Sequence, residues 1–253
     1  MPEEFVTPEA YPVMSFSDKF VGILSSPGEV FENVAKNPEK QNSNWVIPLV
    51  ITIVMTIAFT LVVFTQPAIQ DQMHETQMHA MQKNVDAGRM TQEQADRAME
   101  MSRPGSPMFL IFGSVGAVVV LFVMVFAYSG VYWLGGKVIF KFNAPFNKVL
   151  EVYGLSLFIG MVGILVSIIM IVAMGSLYAQ PSLAIFVSNF DPTDKVDKLL
   201  SAINIFEFWA MYVIAVGLAK VWDTTISKSV IVVAGVWIVW TAVKVFLNIG
   251  QGM

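Results

Sequence analysis

Cysteine is absent from the 253 residues, which excludes disulfides, thiolate catalysis and Cys-ligated zinc or iron–sulfur centres. Charge is scarce as well. Only 13% of residues are Asp, Glu, Lys or Arg, against about 25% in a soluble domain. Histidine occurs twice, at His74 and His79. No HExxH pair, Walker-type Gly-Lys loop or nucleophile elbow is present. The chain is therefore read as non-enzymatic and without a cofactor. The net charge of −4 comes with no basic face, which argues against nucleic acid as a partner. A basic start followed at once by an apolar core is missing too. Glu3 and Glu4 are acidic, and no long apolar run begins before Trp45. The expectation is that no signal peptide is cleaved and that the first span directs insertion.

Long apolar runs are what the chain has instead. Hydrophobic residues make up 55% of it. Residues 107–134 and 152–178 carry no charge at all, and each run exceeds the roughly 20 residues that cross a bilayer. Further spans are expected at 45–65, 202–222 and 229–247. Trp45 marks the interface of the first, with Pro48 expected in its first turn, where a missing N–H costs little. Gly135-Gly136 is expected to end the second span, and Asn143-Ala144-Pro145 to make the turn that follows. The fold class is an all-α membrane protein: a five-span helical bundle with amphipathic N-terminal helices and an extracytoplasmic helical hairpin between spans one and two.

Ahead of the first span, Phe16, Phe20, Ile23 and Leu24 recur at helical spacing. Ser26-Pro27-Gly28-Glu29 then offers a cap, a proline at the first helical position and a capping-box partner. Val30, Phe31 and Val34 continue an apolar side. These two helices are placed at the membrane surface, against the bundle, or in a small soluble packing element. The polar stretch 66–106 reads as a compact hairpin. One helix covers 68–85 and breaks at Ala87-Gly88. A second starts at Thr91, has Gln94 as its capping-box partner, runs to Met101 and ends at Arg103-Pro104-Gly105.

Lys and Arg in short loops favour the cytoplasm. The loop with Lys137, Lys141 and Lys148 is purely basic, whereas the segments with Lys83, Arg89, Arg97 and Arg103, and with Lys195 and Lys198, are net acidic. This places the N-terminus inside and the C-terminus outside.

Three sets of residues are candidates for function. Glu207 and Lys244 are ionisable residues inside apolar spans, at matching depth near the outer surface. They suit a proton or ion relay, a packing ion pair, or two side chains snorkelling separately to the interface. His74, Met78, His79 and Met81 in the hairpin offer imidazole and thioether groups, which suit Cu(I) or Ag(I). The same methionines suit helix–helix contacts, since Met is a routine filler. Gly113 with Ala117, Ser156 with Gly160, and Gly163 with Ser167 have the small-xxx-small spacing that lets helices approach. The acidic pair Asp194 and Asp197 reads as a solvated helix face.

The order of several stretches carries a resemblance. Phe20-Val-Gly-Ile-Leu-Ser-Ser-Pro-Gly-Glu-Val-Phe31 precedes Trp45-Val-Ile-Pro48. Leu150-Glu-Val-Tyr-Gly-Leu-Ser-Leu-Phe158 opens span three. Asn204-Ile-Phe-Glu-Phe-Trp209 and Ile214-Ala-Val-Gly-Leu-Ala-Lys220 make span four. Together they resemble bacterial Yip-domain (Ypt-interacting-protein-type) membrane proteins over most of the chain, the hairpin at 66–106 standing as an insert. The resemblance implies a cytoplasmic segment 1–44, a five-span membrane domain 45–253 and no catalytic site. Eukaryotic members bind small GTPases and act in vesicle traffic through an Asp-Leu-Tyr-Gly-Pro-type motif, of which only Tyr153-Gly154 has a counterpart here. Some bacterial relatives resemble accessory subunits of export complexes. The function expected is that of a membrane scaffold or assembly factor in the bacterial inner membrane. Its expected partners are the lipid bilayer and another membrane protein or a second copy. The alternatives are a permease subunit using Glu207 and Lys244, and a Cu(I)/Ag(I)-binding protein.

Overall fold

The computed structural model describes residues 14–246. The polar start at residues 1–11 lies outside them. Among the described residues the structure is helical, with one isolated antiparallel bridge between Ser182 and Asn204. Two short helices, α1 (Phe16–Ser25) and α2 (Pro27–Lys36), precede α3 (Ser43–Val63). The hairpin helices α4 (Pro67–Asp86) and α5 (Gln92–Met101) follow, then α6 (Pro107–Ile139) and α7 (Phe146–Met174). A 3₁₀ turn (Leu183–Phe186) and α8 (Lys195–Ala202) lead to α9 (Ile205–Val221) and α10 (Ile226–Phe246).

Four helices, α3, α6, α7 and α10, are long and apolar enough to cross a membrane. The fifth apolar helix, α9, has 17 residues and rises about 25 Å, less than a hydrocarbon core of about 30 Å. Its second half is nonetheless the most enclosed apolar stretch of the bundle: every residue from Val213 to Ala219 is buried. Charge is kept out of that stretch because α9 packs against α2, α7 and α10.

The core gathers at one end of the bundle. Ile23, Val30, Phe31 and Val34 of the first two helices share a single cluster with Val152, Leu155 and Phe158 of α7 and Val213 and Leu218 of α9. The amphipathic helices therefore lie against the bundle, not apart from it. Phe16 and Phe20 meet Phe158 edge-on, with ring centroids 5.5 and 5.0 Å apart. Of the three only Phe158 is fully buried, and burying a side chain of that size contributes about 1.5–3 kcal/mol.

Several local expectations are corrected. Ser26 makes no side-chain cap for α2. The α1–α2 corner closes through backbone instead, the Glu29 N–H donating to the Ser26 carbonyl at 3.1 Å. Helix α3 starts at Ser43, which puts Pro48 inside the helix, beyond its first turn. Gly135-Gly136 does not end α6, which continues to Ile139. Its glycines serve close packing: a Cβ on Gly136 would lie 2.5 Å from the Trp222 ring, and one on Gly135 3.0 Å from Val232. Helix α7 begins at Phe146, so Lys148 and Glu151 belong to the helix and not to a basic loop. The stretch 66–106 holds two helices with a break between them. Thr91 and Gln94 form both halves of the capping box, and Gly88 takes φ +69° at the break.

Candidate functional site

The helices alternate in direction, so the bundle has two chemically different ends. At one end, α3 and α7 begin side by side and α1 and α2 are docked. The sequence reading missed the polar cluster held there. Lys19 of α1, Asn44 of α3, and Lys148 and Glu151 of α7 are all buried. The Lys19 Nζ donates to Gln41 Oε1 and to Asn44 Oδ1, each at 2.7 Å. The Asn44 amide then turns its Nδ2 to Glu151 Oε2 at 2.8 Å and to Gln41 Oε1 at 3.1 Å. The Gln41 N–H reaches Glu151 Oε1 at 3.3 Å. Lys148 Nζ lies 3.5 Å from the same oxygen and donates to the Glu39 carbonyl at 3.1 Å.

Asn44 thus relays between an ammonium and a carboxylate, its oxygen facing one and its nitrogen the other. Burial pulls the Lys19 ammonium below the ordinary lysine value; Glu151 opposes that shift and Lys148 reinforces it. Both Glu151 oxygens and both ends of the Asn44 amide are engaged within the cluster. What it does is fasten α1 and the 37–42 linker to the start of α7.

Two backbone contacts tighten the same end. A Cβ on Gly154 would lie 2.4 Å from the Trp45 Cα and 2.8 Å from the Asn44 carbonyl oxygen. Pro48 supplies no N–H to that carbonyl. On α9, a Cβ on Gly217 would meet Val152 at 2.5 Å and the Phe31 ring at 3.0 Å. Outside this core, Glu32 Oε2 accepts from Lys220 Nζ at 2.9 Å and Glu32 Oε1 lies 2.6 Å from Lys36 Nζ. The two ammoniums hold the Glu32 carboxyl at about 2, well under the usual carboxylate range.

The opposite end holds the residues singled out from sequence. Glu207 and Lys244 border one cavity of about 320 Å³. Among the described residues they form no ion pair with each other; Glu207 Oε2 accepts from the Trp237 indole N–H at 3.1 Å. His74, Met78 and His79 are exposed on α4 and Met81 is half-buried. His79 stands 4.0 Å from Glu75 and borders a different cavity, of about 690 Å³. Among the described residues no group of three His, Cys, Asp or Glu side chains is placed to hold a metal ion.

The small-residue positions divide. Gly163 packs on Phe206, to which a Cβ would come within 3.1 Å, and Ser156 is buried with its hydroxyl on the Tyr153 carbonyl at 2.6 Å. Gly113 and Gly160 face open space, with no atom within 4 Å of a Cβ, and Ala117 lines a cavity beside Gly113. Asp194 caps α8, accepting from the backbone of Val196 and Asp197, and Asp197 accepts from the Asp191 N–H at 2.8 Å.

Most of the stretches whose order carried the resemblance converge on the packed end: Phe20–Phe31 on α1 and α2, Trp45 on α3, Glu151, Tyr153 and Gly154 on α7, and Gly217 and Lys220 on α9, with residues 204–209 at the other. Neither a curated protein nor a solved structure matches the chain. Residues 21–247, which include most of that end, match the Yip1 domain, and the chain belongs to this family of membrane proteins.

Proposed function

We propose that the protein is a non-enzymatic scaffold or assembly factor of the bacterial inner membrane. In this reading the docked α1–α2 end faces the cytoplasm, the α4–α5 hairpin faces outward and α9 makes the fifth crossing. Lys137, Lys141, Lys220 and Lys228 lie at the docked end, which agrees with cytoplasmic placement. The shortness of α9 is tolerable because its buried half faces protein, not lipid.

The observation that carries the scaffold reading is the contrast between α6 and its neighbours. The most apolar window of α6 is only 6% buried, against 28% for α3, α7 and α10. Along its first half Gly113 and Gly116 are exposed, with nothing within 4 Å of a Cβ. Small residues on an uncovered transmembrane helix suit close approach by another helix. The test is extraction from the native membrane in mild detergent with a photo-crosslinking residue at position 113. Stoichiometric recovery of one membrane protein, covalently joined through that position, is the expected result. Recovery of the chain alone with no adduct overturns the reading.

A further inference from the structure

The cavity between Glu207 and Lys244 is lined by groups that the scaffold reading does not use. Lys198 and Lys244 supply positive charge and Glu207 negative charge, and Thr241 stands beside them. Thr241 is only 5% exposed, and its hydroxyl has no hydrogen-bond partner among the described residues. With an ammonium at Lys244 and a carboxylate at Glu207 on its wall, this cavity suits a polar, charged occupant. Glu207 takes the Trp237 N–H on Oε2, which leaves Oε1 to receive a second donor.

A second cavity, again of about 320 Å³, adjoins the first and shares Gln180 and Glu207 with it. Its lining is apolar, chiefly Phe59, Ile164, Phe206 and Ala210, and its floor is Gly160, which is exposed and has no atom within 4 Å of a Cβ. It lies between apolar helices and reaches the middle turns of α7 and α9, at Gly160 and Ala210. Each cavity is at the lower edge of the range of about 300–1,000 Å³ typical of ligand sites.

A polar chamber with charges of both signs at the end of the bundle, beside an apolar groove between helices, has the layout of a lipid in its leaflet. We propose that it binds a phospholipid whose head carries a phosphate and a primary ammonium, with an acyl chain over Gly160. Lys244 faces the phosphate, and Glu207 Oε1 accepts from the ammonium. A quaternary ammonium has no N–H to offer Glu207, and a glycerol head has no charge to offer it. The site therefore selects phosphatidylethanolamine over phosphatidylcholine and phosphatidylglycerol. The inference does not depend on the scaffold reading and survives if no partner protein is found.

The test uses the full chain, delipidated in detergent, with dioleoyl phosphatidylethanolamine, phosphatidylcholine or phosphatidylglycerol added singly and bound lipid counted by native mass spectrometry. Phosphatidylethanolamine is expected to bind at one per chain and about tenfold more tightly than either competitor, which is ~1.4 kcal/mol. Glu207→Gln should abolish the preference over phosphatidylcholine, and Glu207→Asp should keep part of it. Lys244→Met should weaken all three lipids, and Lys244→Arg should not. Gly160→Leu should exclude the diacyl lipid while sparing a lyso-phosphatidylethanolamine of short chain. Equal binding of the three lipids, preference for phosphatidylglycerol, or an unchanged preference in Glu207→Gln each overturns the proposal.

Discussion

The two ends of the bundle solve the same problem, polar groups near a membrane boundary, in opposite ways. At the docked end Lys19, Asn44, Lys148 and Glu151 are buried and joined by hydrogen bonds, and the backbones of α3 and α7 touch at Gly154. At the hairpin end Glu207, Lys244 and Thr241 border open volume and do not pair with one another among the described residues. A satisfied polar network inside a packed core rigidifies it, whereas the charged groups around the cavity are not joined to one another. The comparison teaches that ionisable residues within apolar helices carry different meanings according to what surrounds them. One set joins helices to one another, and the other borders a cavity.

The largest test of that contrast removes a charge at each end. Glu151→Gln leaves two buried ammoniums uncompensated and should lower stability by about 3–5 kcal/mol, read as a loss of thermal stability in detergent. Adding Lys148→Met should recover part of it. Glu207→Gln at the other end should cost less than about 1 kcal/mol, because its carboxylate is exposed on the described surface. Equal losses at the two ends would erase the distinction.

Glycine substitution sharpens the comparison at the next scale. Gly154→Ala pushes a methyl into the Trp45 backbone and should cost about 1–3 kcal/mol. Gly160→Ala, six residues along the same helix and facing open space, should be neutral or slightly stabilising by the same assay, since Ala favours helix over Gly by about 1 kcal/mol.

A smaller effect is expected in the hairpin. Thr91→Ala removes the capping box of α5 at a cost of about 1 kcal/mol. Hydrogen exchange should quicken in α5 and stay unchanged in α1 and α2.

The smallest effect concerns pH. Glu32 titrates at about 2 in the folded protein, against an ordinary value of 4.5. A carboxyl depressed on folding contributes stability above its ordinary value and loses it as the pH falls toward the depressed one. The difference in stability between wild type and Glu32→Gln should therefore be present at pH 6 and fade from pH 4.5 downward. A difference that persisted to pH 2 would show that the pairs with Lys36 and Lys220 are not its source.

What the sequence by itself determined was local. The uncharged runs of α6 and α7 are apolar because of the residues they contain, whatever they pack against. The Thr91–Gln94 box closes within three residues, so its partners are visible in any short window. The order of the family-like stretches was legible in the same way. Tertiary structure decided the rest. Gly135-Gly136 reads as a stop until the Trp222 ring is placed over it, because a glycine pair suits a helix end and a close crossing equally well. Lys148 reads as a loop charge until the Glu39 carbonyl is placed 109 positions away beside it, and the partners of Glu151, Asn44 and Gln41, come from 107 and 110 positions away. Glu207 and Lys244 could be assigned a common depth from their spans, but whether they touched depended on how α9 and α10 pack. Burial and pairing are properties of what lies beside a residue in space, and for this chain those neighbours are remote in sequence.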